Sequence, residues 1–187
     1  MGLRGLLTIA SILHTASWIS EYCQREETYR AAQETADLLS KPLLVVGSPL
    51  GSNPLRRFLG CETHGWGDAC LDLDPRSLEG APEGVLTVAA DVRDIPFDDR
   101  TFGAVIASHV LEHLDTREDA ELALAELDRV ADVVYVAGPN KWNIRSWLVP
   151  DHSLWVWQEP DGEVIIEERP DWQRWVNANG RIRLGPG

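Results

Sequence analysis

Apolar residues in this chain gather into short unbroken runs with turn-forming residues between them. Leu43-Leu-Val-Val46 is one such run, set between Pro42 and Gly47. A continuous apolar stretch of this length, bounded by turn signals, reads as a strand buried on both faces. Ala69–Leu73, Val85–Ala90, Phe102–Ala107 and Val133–Ala137 repeat the pattern. Between them the periodicity turns helical. Glu21–Ser40 lines up Tyr22, Tyr29, Ala32, Ala36 and Leu39 on one face, and Pro42 stops it. Ser52 or Asn53 can cap a short helix with Pro54 at its first position and Gly60 at its end. Arg117–Val130 offers Ala120, Leu122, Leu124, Leu127 and Val130, and His109–Leu114 forms a short element before it. Strands alternating with helical segments predict an α/β fold: a doubly wound, mostly parallel sheet with helices on both faces.

The two ends of the chain differ from this middle. Leu154–Gln158 and Glu163–Glu167 are strand-like and flank Glu159-Pro-Asp-Gly162, which predicts a C-terminal β-hairpin. Six of the eight tryptophans lie at or beyond Trp142, and large aromatic rings there are expected to pack the hairpin onto the sheet. Gly2–Ile19 is apolar all round, with Arg4 near its start. It is shorter than the ~20 apolar residues of a spanning helix, and no Ala-x-Ala cleavage site closes it. A docked helix, an interfacial anchor and a short span all fit, and the expectation leans to contact with a membrane or a hydrophobic partner. The predicted organisation is thus an apolar N-terminal helix over 1–20 and one domain over 21–187, cytoplasmic and tethered by that helix if it meets a membrane.

Composition narrows the partners. The formal net charge of −13 argues against a broad nucleic-acid footprint, which is basic. Cys23, Cys61 and Cys70 contain no Cys-x-x-Cys pair, so neither a disulfide framework nor a zinc site of that type is expected.

Candidate chemistry lies at the carboxyl ends of the predicted strands, where open α/β sheets bind ligands. Gly47 and Gly51 allow a sharp turn and a close backbone approach. Asp72 ends the second strand 25 residues after Gly47, near the roughly 20 expected of a ribose-binding acid. Asp91 ends the third. Three such features in order point to a nucleoside-bearing cofactor.

The segment Asp91-Val-Arg-Asp-Ile-Pro-Phe-Asp-Asp-Arg-Thr-Phe-Gly-Ala-Val-Ile-Ala-Ser-His-Val-Leu-Glu-His-Leu114 makes the pattern specific. It resembles the central part of class I S-adenosylmethionine-dependent methyltransferases (the type 11-like group). These typically carry an Asp-Ala-x-x-Leu-Pro-Phe run, a Phe-Asp strand and Val-Leu-x-His. The resemblance spans roughly 42–139 and implies a Rossmann-like methyltransferase fold with S-adenosylmethionine as cofactor and a small-molecule or lipid-type methyl acceptor. It implies that Asp72, with Leu73 beside it, holds the ribose. Asp91 and Val92 would take the adenine, and Gly47, Ser48, Pro49 and Gly51 the methionine end. Ser108 and His109 would stand by the sulfonium and the substrate entrance, with His113 at the substrate mouth.

The chain departs from that family in its glycine loop. Val45 stands where an acid is usual, Pro49 where the middle glycine is, and Gly103 where an Asp follows Phe102. Proline supplies no N–H and fixes φ, so the loop offers the cofactor one donor fewer. A catalytically inactive methyltransferase-like scaffold is therefore the alternative function. A nicotinamide oxidoreductase is disfavoured because the Gly-x-Gly-x-x-Gly spacing is not met. No catalytic base stands out, and methyl transfer to a good nucleophile needs mainly proximity and alignment. His109 and His113 flank Glu112, but the order is not His-Glu-x-x-His and no third ligand is visible, so no metal is expected.

Overall fold

A computed structural model describes residues 23–47, 49, 65–138, 147, 149 and 151–170. The predicted N-terminal helix over 1–20, the Ser52–Gly60 helix, and Ser48 and Gly51 lie outside the described residues. Helix α1 covers 23–39. It closes with Ser40 at φ 53° and the Lys41 N–H donating to the Ala36 carbonyl at 3.1 Å, a left-handed C-terminal cap before Pro42.

The strands are β1 Leu43–Val46, β2 Ala69–Asp72, β3 Leu86–Ala89, β4 Phe102–Ser108 and β5 Ala131–Ala137, all parallel in the order β3-β2-β1-β4-β5. β1 is thus the central strand, as its unbroken apolar run predicts, and β4 is buried along its whole length. Alternation across the pleat splits the core in two. Leu44, Val46, Leu71, Val105 and Ala107 face helix α2 (Arg117–Val130). Leu43, Val45, Cys70, Ala104 and Ile106 face α1, with Trp66 beside them. Gly103 lets α1 lie close: a Cβ there would come 3.1 Å from Ala36 Cα and 3.0 Å from Lys41 Cβ. The departure at Gly103 is therefore met by packing on this face.

The helical faces are narrower than their periodicity suggests. Ala32 and Ala36 are buried, but Leu39 is 45% exposed; on α2, Ala123 is buried while Leu122 is 59% exposed. No helix joins β3 to β4. That loop is fastened to α2 instead. Arg129 donates to the carbonyls of Ile95 and Phe97 at 2.9 and 2.8 Å, and Glu126 accepts the Ile95 N–H at 3.0 Å.

The tail forms the antiparallel hairpin β6 Leu154–Gln158 and β7 Val164–Glu168. Leu154, Val156 and Ile166 join the α2-side core and dock the hairpin, while Trp155 and Trp157 alternate with them, buried but in neither core cluster, Trp155 against Trp147. The Gln158 carboxamide covers the outer edge of β5, accepting from Val136 N–H at 3.0 Å and donating to the Val134 carbonyl at 3.3 Å. No helix among the described residues is long and apolar enough to cross a membrane.

Candidate cofactor cavity and histidine cluster

Strand order reverses between β1 and β4, and crevices at such points bind ligands in open α/β sheets. A cavity of about 540 Å³ opens at the carboxyl ends of these strands, a size typical of small-molecule sites. Gly47 begins its floor at φ +94°. A Cβ on Gly47 would lie 2.5 Å from Val110 Cγ2 and 2.8 Å from the Ser108 carbonyl oxygen, so only glycine fits the junction.

Seven of the residues singled out in the sequence meet in this cavity: Gly47, Asp72, Leu73, Asp91, Val92, His109 and His113. Ser108 is buried and is not among its lining; its hydroxyl oxygen accepts from Arg25 Nε at 3.0 Å. β4 runs one residue further than predicted and takes Ser108 into the sheet. Pro49 is buried and likewise not among the lining residues. Val45 is sealed in the α1-side core, so an acid is missing there by packing as well as by composition.

The two acids differ in electrostatics. Asp72 Oδ1 accepts the Asp74 N–H at 2.8 Å. Burial holds its carboxyl above the ordinary value, against the hydrogen bonds it receives from Asp74 and Ser77. Asp91 is held below its usual range, chiefly by Arg93. The guanidinium spans both carboxylate oxygens at 3.0 and 2.6 Å and also reaches Asp119 at 2.7 Å. The apolar Leu73, Val92, Val110 and Leu114 complete a wall suited to a flat base, with the half-buried Asp72 carboxylate beside it. These residues fit a nucleoside-bearing ligand.

Beside the cavity, His109 stands at φ 55°, an uncommon conformation for a residue with a side chain. The turn Leu111–His113 carries Glu112, whose side chain is 1% exposed. Glu112 Oε1 lies 2.9 Å from His109 Nδ1 and 3.9 Å from His152 Nε2, yet Oε1 has no hydrogen bond of sound geometry. Burial pushes the Glu112 carboxyl up, but His109, His152 and His113 together pull harder and leave it below its ordinary value. His152, from the segment before β6, is buried, and desolvation brings its imidazole down to about 4. Sequence reasoning missed His152. It lies 40 positions from Glu112, and no local pattern announces the meeting. It is placed by Arg169, which donates to the carbonyls of His152, Val149 and Trp147 at 2.9, 2.8 and 3.3 Å.

Residues 58–132 match the family described as "Methyltransferase domain". The match covers about two fifths of the chain. No curated protein sequence matches it. Solved structures similar to this chain include the N-methyltransferase NodS from Bradyrhizobium japonicum in complex with S-adenosyl-L-homocysteine. It is 14% identical at TM-score 0.45, over 65% of this chain and 65% of that one. An amino pentose methyltransferase from Micromonospora echinaspora, bound to S-adenosylmethionine, is 24% identical at TM-score 0.38, over 67% and 52%. The 1,6-didemethyltoxoflavin-N1-methyltransferase of Burkholderia thailandensis is 13% identical at TM-score 0.39, over 86% and 72%. This chain spans less than two thirds of the length of the first two.

Proposed function

We propose that this chain is an S-adenosylmethionine-dependent methyltransferase acting on a small-molecule acceptor. One observation carries the reading. Within and beside the segment that matches the methyltransferase domain, the sheet gathers Gly47, Asp72, Leu73, Asp91 and Val92 around a single cavity at the point where strand order reverses. When bound, S-adenosylmethionine supplies an electrophilic methyl group on a sulfonium. Asp72 would accept hydrogen bonds from the ribose hydroxyls, and Leu73 and Val92 would border the base. Asp91, already shared with Arg93, retains lone pairs for an exocyclic amine. The backbone turn at Gly47 would border the methionine part. His109 and His113 would border the acceptor.

Titration calorimetry with S-adenosylmethionine and S-adenosylhomocysteine tests this. Saturable binding of both at one site is expected. Absence of binding at millimolar ligand would contradict the proposal and favour the inactive scaffold, for which the buried Val45 and Pro49 speak. We further propose that residues 2–19 bring the domain to a membrane or hydrophobic partner from the cytoplasmic side, on the strength of their all-round apolar pattern. Co-sedimentation of the full chain with vesicles, lost on deleting 1–19, is the expected result.

A further inference from the structure

Glu112 is a fully buried acidic side chain that belongs to neither hydrophobic core cluster nor the cofactor cavity lining. A buried carboxylate is retained only with strong partners, because desolvating a charge is expensive. Its surroundings are histidines. His113 and His152 meet edge to face with ring centroids 4.8 Å apart. One ligand atom from each of Glu112, His113 and His152 falls within 4.8 Å of the others. Ligand atoms around a tetrahedral zinc stand roughly 3.3 Å apart, given bonds of about 2.05 Å. Metal binding would draw these atoms together, and His113, with its side chain 41% exposed, stands at the solvent side of the cluster.

The backbone holds this arrangement firmly. The Ser153 N–H donates to the Glu112 carbonyl at 2.8 Å, tying the turn that carries Glu112 and His113 to the segment that carries His152. Arg169 fixes that segment from behind. The Glu112 Oε1 atom, without a hydrogen bond, points at both His109 and His152.

We propose that Glu112, His113 and His152 form a binding site for one divalent first-row transition cation at the rim of the cavity. Two imidazoles and one carboxylate suit zinc and its neighbours, whereas magnesium and calcium prefer all-oxygen sets. Three protein ligands leave a coordination position open, as in catalytic rather than structural zinc sites. His113 and the adjoining Asp151 both line the cavity, so the open position adjoins the place where the acceptor would lie. The inference goes beyond the methyl-transfer reading, and its test uses neither cofactor nor acceptor, so either can fail without the other.

The test is calorimetric titration of the chelator-treated full chain with zinc chloride, with magnesium chloride as the comparison. One equivalent of zinc is expected to bind, with a rise in the thermal unfolding midpoint, and magnesium to bind at least tenfold more weakly. Cobalt(II) should give the intense visible absorption of a low-symmetry site. Glu112→Gln keeps the shape of the side chain, and His113→Ala alters a half-exposed position. Each should lower zinc affinity at least tenfold while leaving the circular dichroism spectrum unchanged. Absence of stoichiometric zinc binding by the wild type would overturn the proposal. So would unchanged affinity in both folded variants, since the ion would then sit elsewhere and Glu112 would be serving only as the ion-pair partner of His109.

Discussion

Replacing Gly47 with alanine isolates the contribution of the strand junction at the cavity floor, because the fold supplies its own control. Gly47 and Gly84 have nearly equal backbone angles, φ +94° and +93°. Adding a Cβ strains both alike, by about 1–2 kcal/mol in the left-handed region, partly offset in both by the lower entropy of the unfolded chain. Their surroundings differ. Nothing lies within 4 Å of a Cβ at Gly84, whereas at Gly47 it would meet Val110 Cγ2 at 2.5 Å and the Ser108 carbonyl oxygen at 2.8 Å. The methyl of Val110 can turn, but the carbonyl belongs to the buried strand β4 and can only be displaced with it. Overpacking of this kind costs about 1–3 kcal/mol. Gly84→Ala is therefore expected to lose about 1 kcal/mol and Gly47→Ala about 2–4 kcal/mol. Urea unfolding followed by tryptophan fluorescence reads the difference as a lower midpoint at unchanged slope. Equal losses in the two variants would refute the idea that β1 and β4 meet at a junction only glycine can fill.

Three further outcomes follow from the same structure. Asp72 has its carboxyl raised by burial, so its ionisation destabilises the folded state as pH rises through that raised value; the penalty is absent below the ordinary carboxylate pKa. Asp72→Asn, which keeps an acceptor for the Asp74 N–H, should make the ligand-free protein more stable at pH 7, with the gain shrinking as pH falls through that raised value and gone below about 4; a thermal unfolding series across pH measures it. Arg169→Met removes charged donors from three carbonyls in a site where Arg169 is 2% exposed, and is expected to cost at least about 3 kcal/mol in chemical denaturation. Cys70 is buried and its thiol is pushed up to about 12, whereas Cys23 is exposed. Mass mapping after iodoacetamide treatment of the folded protein at pH 8 should find Cys23 alkylated and Cys70 protected.

Local signals in the sequence locate the sheet well. Leu43–Val46 is a continuous apolar run because both of its faces are covered, and its central place follows from that. β4 reads the same way, but its end was misplaced by one residue, since Ser108 is polar and its hydroxyl is satisfied by Arg25 from a distant helix. The width of a helix's buried face was harder to read. Leu39 and Leu122 lie on periodic positions, yet the neighbouring layer does not extend over them. The strand-end residues of the cavity were legible because topology places successive strand ends together. The histidine cluster was legible only in half: His109, Glu112 and His113 are adjacent in the chain, whereas His152 arrives through the docking of the hairpin and the Arg169 contacts.

The measurement that tests the central claim most directly is the affinity of S-adenosylmethionine for the wild type against Asp72→Ala. Charged hydrogen bonds of the kind Asp72 would make to a ribose contribute about 1.5–3 kcal/mol each. The account therefore predicts saturable wild-type binding, weakened at least about tenfold by the substitution, while circular dichroism remains unchanged. Equal affinities would contradict it, because the ribose would then not be held at the end of β2.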